Sequence, residues 1–313
     1  MNYPKISIIT PSYNQGEFLE ETILSVLSQN YPNLEYIVID GGSSDQSVDI
    51  IKKYEAQLAY WVSEPDKGTW EANNKGLEKV TGDYWCVVNS DDLLCKGALN
   101  KIANYIEEHG AFDWLAGGVE YIDEKSQLMG THVPKKPLRL DEQSFLNGCW
   151  ISHPAVFLSS KLIVDKGMFK RYHLLDLNYW LRLEHAGYRP IVYPDALSAL
   201  RMHSDCKSAD RFKLHEEYLR VIEDFIRDHD VSITPEIQEL LYQKQLYKQR
   251  LLLQELLVSK DTTAALAGLF RLFKDGVNER WYWGLWKRML FGMSENDPLL
   301  NDFDRNESKA NWN

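Results

Sequence analysis

Two features of the sequence predict an α/β fold with a helical extension at its C-terminal end. Over the first ~120 residues, short apolar runs alternate with helical patterns, the signature of βαβ units around a sheet. From Leu214 onward the pattern becomes almost wholly helical.

Taken in order, Ile6 to Thr10 reads as a buried strand, and Gly16 to Gln29 as a helix with Leu19, Ile23, Val26 and Leu27 on one face. Leu34 to Asp40 is a second strand, and Gly41-Gly42-Ser43-Ser44 turns the chain into a helix carrying Val48, Ile51 and Tyr54. A short strand at Tyr60 to Val62 precedes a helix from Trp70 to Val80, which Gly82 is expected to end. Tyr84 to Val88 is the next strand, Gly97 to His109 a helix, and Trp114 to Gly118 a further strand. Leu138 to His203 is less regular, with a helix at Leu177 to Gly187 and a strand at Arg189 to Tyr193. These patterns divide the chain into an α/β part, 1–212, and a helical part, 213–313, whose polar tail after Asn296 is expected to fray.

Composition narrows the function. Hydrophobic residues are 44% and charged residues 26% of the 313, enough for a sizeable core. A net charge of -11 argues against nucleic acid as a partner. No signal peptide is visible, and no stretch approaches the ~20 apolar residues of a membrane span. Cys86, Cys95, Cys149 and Cys206 show neither CxxC spacing nor disulfide density, so reduced thiols in a cytoplasmic protein are expected.

Open α/β sheets place ligand sites at the carboxyl ends of their strands. Polar residues gather there: Thr10-Pro11-Ser12-Tyr13-Asn14, then Asp40-Gly41-Gly42-Ser43, then Asn89-Ser90-Asp91-Asp92. An acidic pair closing an apolar strand is costly to leave unpaired, and a hard cation relieves that cost. Capping of the following helix is the competing role for Asp91 and Asp92. No GxGxxG follows any predicted strand, which disfavours a dinucleotide enzyme.

Ser7 to Asn14, Ser25 to Gln29, Glu35 to Asp45, Asn74 to Leu77, Thr81 to Tyr84 and Asn89 to Asp92 together resemble the family 2 glycosyltransferases, over residues 5 to about 205. The resemblance implies a GT-A fold, with a nucleotide-sugar part over about 1–120 and an acceptor part over about 121–212. It also implies inverting, metal-dependent transfer, with Mn or Mg, from a nucleoside-diphosphate sugar to a glycan or lipid-linked acceptor in surface polysaccharide or glycoconjugate assembly. By the same resemblance Thr10, Pro11 and Tyr13 line the nucleotide pocket, Asp40 meets a base, typically uracil, and Ser90 belongs to the donor site. Asp91 and Asp92 form the acidic metal motif, with His203 as a further metal or diphosphate ligand. Asp66 matches a nucleotide-contacting acid, Lys67 offsets phosphate charge, and Asn74 lies at the donor site, there to brace it.

Asp176, opening an amphipathic helix, matches the family's second acidic motif and is expected to be the base that takes the acceptor's proton. Arg182 is read as a partner of a carboxylate, and His153, Trp150 and Trp180 as acceptor-side residues. Asn89 stands where the family often has Asp, which motivates the alternative of a catalytically inactive sugar-nucleotide binding or scaffold protein.

In the helical part, Leu266, Leu269, Phe270 and Phe273 share helical spacing, followed by Tyr282, Leu285, Trp286 and Met289. Arg271, Lys274, Arg280, Lys287 and Arg288, with Trp281, Trp283 and Trp286, make residues 262–292 a basic amphipathic segment. It is read either as a peripheral contact with the inner face of a membrane or as packing within the chain or a homodimer.

Overall fold

The computed structural model describes residues 3–134, 146, 149–204, 206, 211–259, 261–277, 282–283 and 285–286. The chain divides into two compact units after Cys206.

The first unit begins with the predicted alternation: β1 (Ile6–Ser12), α1 (Leu19–Leu27), β2 (Leu34–Asp40), α2 (Ser47–Tyr54), β3 (Tyr60–Ser63), α3 (Thr69–Leu77) and β4 (Tyr84–Val87). It continues with β5 (Leu93–Leu94), α4 (Ala98–His109), β6 (Trp114–Ile122), β7 (Leu128–His132), β8 (Val156–Ser159), α5 (Lys161–Lys166), α6 (Leu175–His185) and β9 (Ile191–Arg201). The sheet runs β3-β2-β1-β4-β8-β6-β9-β5, with β7 paired to β6. β3, β2, β1 and β4 are mutually parallel, whereas β8 is antiparallel to both β4 and β6. All seven residues of β1 are buried, as a strand covered on both faces requires. Ile6 and Ile8 pack with Leu19, Ile23, Val38 and Ile51 on one face. On the other, Ile9 meets α3 at Gly76.

Four expectations change. The helix α3 ends at Leu77, and Gly82 serves a different purpose. A Cβ there would lie 2.5 Å from Ser7 Oγ and 2.8 Å from the Lys5 carbonyl, so glycine lets the loop pass against β1. β9 runs to Arg201, well past the predicted Tyr193. Its polar residues are satisfied from elsewhere: Lys101 pairs with Asp195, and the Ser198 hydroxyl donates to the Pro154 carbonyl. β6 likewise runs on to Ile122 because β7 and β9 flank it. β5, β7 and α5 carried too little apolar periodicity to be read: β5 has two residues, and β7 is mostly exposed.

The second unit contains α7 (Arg211–Asp228), α8 (Pro235–Val258) and α9 (Thr262–Lys274). Asp261 caps α9, accepting from the Ala264 N–H at 3.1 Å. Its small core joins Leu246 and Leu253 of α8 to Ala265, Leu269 and Leu272 of α9, with Val277, Tyr282 and Leu285. The inward stripe of α9 therefore differs from the predicted one. Phe270 and Phe273 are exposed, because α8 covers the face one residue round the helix. Arg280, Trp281, Lys287, Arg288, Met289 and the tail after Asn296 lie outside the described residues. Among the described residues no helix is long and apolar enough to cross a membrane.

Candidate active site

The ends of β1, β2 and β4 form the floor of the site. Past β1, Tyr13 is 61% exposed, and Asn14 takes a left-handed φ of 51°. Asn14 is held there by two bonds: its N–H donates to Ser43 Oγ (2.7 Å) and its Oδ1 accepts from the Ser44 N–H (2.9 Å). Gly41 follows β2. A Cβ on it would lie 2.8 Å from Asp66 Oδ2 and 3.3 Å from the Tyr13 ring, so both side chains close over a bare backbone.

The predicted nucleotide residues separate into two layers here. Tyr13 and Asp66 keep accessible surface, Asp66 accepting from the Gly68 N–H at 2.7 Å. Asp40 is 0% exposed. Its carboxylate accepts from the Gly42 and Ser43 N–H groups (3.1 and 2.9 Å) and from the Ser43 and Ser63 hydroxyls (2.5 and 2.6 Å). Thr10 is buried with its hydroxyl 3.1 Å from the Tyr36 hydroxyl, and Pro11 is buried beside it. Lys67 is exposed, while its N–H donates to Glu71 (2.7 Å). Asn74 is a brace: its amide exchanges two 2.9 Å bonds with the Phe169 backbone.

After β4 the acidic turn is held from both sides. The buried Thr22 hydroxyl of α1 lies 2.9 Å from the Ser90 carbonyl and 2.8 Å from the Asp92 carbonyl. Asp92 is 3% exposed and turned inward. Its Oδ2 accepts from Asn89 Nδ2 (2.9 Å) and its Oδ1 from the Arg201 N–H (3.1 Å). Burial, and then the charge of Asp91, push its carboxyl well above the usual carboxylate range. Asp91 is partly open, and His203 Nε2 lies 3.2 Å from its Oδ2. Ser90 is buried within the turn.

Asp176 sits half-buried in the first turn of α6. The Cys149 thiol is pushed up by burial and, after it, by the charge of Asp176. Trp180 corrects an expectation: it is fully buried, stacked on Trp114 at 5.2 Å, and has no face to offer a sugar. His153 is half-buried and meets Phe169 and Trp180 edge-on, each at 5.8 Å, while Trp150 is half-buried nearby in sequence. Arg182 also differs from its reading. It donates to the Lys166 and Met168 carbonyls and to Asn178 Oδ1, tying α6 to the loop after α5 rather than meeting a carboxylate.

Among the described residues no group of three His, Cys, Asp or Glu side chains is arranged to hold a cation. Asp91 and His203 offer two donors of suitable chemistry, and Mg or Mn held by one carboxylate completes its shell with phosphate and water oxygens. The donor set therefore fits a metal that arrives with a diphosphate. Sequence reading missed Arg201, whose signal was a lone charge closing the run Ala196-Leu197-Ser198-Ala199-Leu200. Thr22 gave no signal, since a threonine on a helix is ordinary.

A parallel β3-β2-β1-β4 block, its strand ends gathering an open aromatic and an acidic turn, extended by an antiparallel strand, is a GT-A-like fold. The chain belongs to glycosyl transferase family 2, whose profile matches residues 7–166, just over half its length. The putative teichuronic acid biosynthesis glycosyltransferase TuaG of Bacillus subtilis is 27% identical over 235 residues, 74% of this chain and 92% of that protein. An uncharacterized glycosyltransferase of Haemophilus influenzae is 40% identical over 109 residues, 34% of this chain; the match covers only 44% of that relative. Among solved structures, Staphylococcus aureus TarS 1–349 in complex with UDP-GlcNAc aligns with a TM-score of 0.55 at 19% identity, over 80% of this chain and 71% of that one. The mannosyltransferase PcManGT of Pyrobaculum calidifontis, in complex with GDP-Man and Mn2+, aligns with a TM-score of 0.60 at 18% identity, over 97% of this chain and 85% of that one.

Proposed function

We propose that this glycosyltransferase moves a sugar, with inversion, from a nucleoside diphosphate, UDP first, to a hydroxyl of a glycan or lipid-linked acceptor in surface polysaccharide assembly. The observation that carries the reading is the partly open Asp91 after β4, with the nearly buried His203 imidazole 3.2 Å from it, beside the Tyr13–Asp66 slot at the ends of β1 and β2.

The base lies against Tyr13, and Asp66, with Oδ2 over Gly41, accepts an N–H from its edge. Asp40 acts beneath it by shaping the Gly41-Gly42-Ser43 turn, since both its oxygens are already engaged. Asp91 and His203 are the residues that would hold Mn or Mg, and the cation would supply charge to offset that of the leaving diphosphate. Asp92 is the anchor of the turn, not a ligand. Asn89 suits that anchor, because an aspartate there would set a second like charge against Asp92, whereas the amide donates to it. The asparagine is therefore no sign of lost activity.

Asp176 takes the proton from the acceptor hydroxyl as its oxygen bonds to the anomeric carbon. The bond from that carbon to the diphosphate breaks, and its electron pair leaves on the diphosphate. Residues 262–292 hold the enzyme at an anionic membrane surface, with Phe270, Phe273 and Trp283 exposed for the interface beside Arg271 and Lys274. A thermal-shift panel of nucleotide sugars with Mn2+ tests the donor assignment, because a specific ligand raises stability by mass action. A shift with UDP-sugars that EDTA abolishes supports it. A larger shift with GDP-sugars replaces the base alone, and no shift with any member overturns the reading.

A further inference from the structure

Arg201, the last residue of β9, is 1% exposed and among the largest fully buried side chains of the protein. A buried guanidinium must be matched by hydrogen bonds, and this one joins three segments far apart in sequence. Its Nε donates to the Asp91 carbonyl at 2.9 Å. Nη1 reaches the turn between β6 and β7, at Ser126 Oγ (2.9 Å) and the Asp123 carbonyl (3.2 Å). Nη2 pairs with Glu21 of α1 at 2.7 Å. Its main-chain N–H supplies the bond to Asp92 already described, and two residues on the same strand end delivers His203. The Phe18 ring lies between the two, 4.8 Å from the guanidinium carbon and 4.9 Å from the imidazole.

One side chain thus fixes the main chain of Asp91, while its own backbone fixes Asp92 and sets the position of His203. We infer that Arg201 is the positioning residue of the proposed metal–diphosphate site. It touches neither donor nor acceptor; it holds the Asp91 carboxylate and the His203 imidazole at the separation a cation needs. The flanking anchors follow the same logic. Ser126, in a left-handed conformation at φ 61°, donates to Glu21 at 2.7 Å, so the turn and α1 are joined to each other as well as to the guanidinium. Lysine cannot replace it, because a single ammonium cannot reach the Asp91 carbonyl, the turn and Glu21 in one plane.

The inference rests on the proposed donor site, and its test separates the two. Affinity for UDP is measured by calorimetry with Mn2+ and again with EDTA, for the wild type, Arg201→Lys and Glu21→Ala. Arg201→Lys is expected to lose about tenfold or more of the Mn2+-dependent gain in UDP affinity, the usual cost of losing an outer support of a metal ligand. Affinity in EDTA, set at Tyr13 and Asp66, is expected to stay within about twofold. Glu21→Ala, at a residue 46% exposed in its side chain, keeps the guanidinium but loosens it, so the Mn2+-dependent gain falls by less while affinity in EDTA again stays. If Arg201→Lys does not fold, Glu21→Ala carries the test. A wild type whose UDP affinity is the same in Mn2+ and EDTA overturns the donor site itself. A metal-dependent wild type with variants that keep its ratio, or that lose affinity equally in both buffers, overturns the role of Arg201.

Discussion

Replacing Asp92 with alanine removes a carboxylate that is 3% exposed and leaves two donors facing a void, Asn89 Nδ2 and the Arg201 N–H. Each orphaned donor costs about 1–3 kcal/mol, for a sum of about 2–6 kcal/mol. Relief of the repulsion from Asp91, which helps push the Asp92 carboxyl up, offsets part of this, so about 2–3 kcal/mol is expected. For a unit of this size that is a fall in Tm of roughly 5–10 °C. Asp91→Asn should behave in the opposite way. It disturbs one partly open contact with His203, worth at most about 1 kcal/mol, yet it removes the carboxylate meant for the metal. UDP affinity in Mn2+ should then fall at least about tenfold, or ~1.4 kcal/mol, with Tm nearly unchanged. Scanning fluorimetry and calorimetry on the two variants read both quantities. An Asp92→Ala protein with wild-type Tm and lost metal dependence, beside an Asp91→Asn protein that still needs Mn2+, would refute the division of labour.

Asp176→Asn should keep donor affinity and lower turnover by roughly 100-fold or more, as loss of a general base does; near-normal turnover assigns the proton to another group. Glu35 provides a pH test remote from the site. Burial raises its carboxyl, but bonds from Lys5, Ser7 and Thr81 outweigh that and lower it from 4.5 to about 2. Its contribution is therefore present above the unfolded value and lost as pH falls from about 4.5 towards 2, a slope in Tm that Glu35→Gln should flatten; an unchanged slope removes Glu35 as its source. Phe270→Ser with Phe273→Ser should leave the core of the second unit intact, since both are exposed, and release the protein from anionic vesicles in flotation at low salt. Full-length protein that never floats leaves the segment as a packing or dimer element.

The strands buried on both faces were readable because their signal is local. Ile6, Ile8 and Ile9, or Tyr36 to Ile39, are apolar whatever lies beside them, and βαβ spacing does the rest. The acidic turn, and Asp176 at the start of a helix, were readable as motifs, because residue type and order carry them. β5, β7 and the long course of β9 were not, since short or polar strands take their identity from neighbours: Ser198 is tolerable in β9 only because the Pro154 carbonyl accepts its hydroxyl.

What the sequence determined by itself is where side chains able to do chemistry stand: Tyr13, Asp40, Asp66, Asp91, Asp92, Asp176 and His203 can be named from residue type and from their places at predicted strand and helix ends. Which way each one faces was decided only by the folded chain. Asp40 turns inward because Ser63, on another strand, brings it a hydroxyl, and Asp92 because Arg201 brings it an N–H from 109 positions away. Asp91, next to it, remains partly open. A carboxylate's hydration is lost or kept according to the partners that tertiary packing delivers, and those partners are invisible to any window read along the chain.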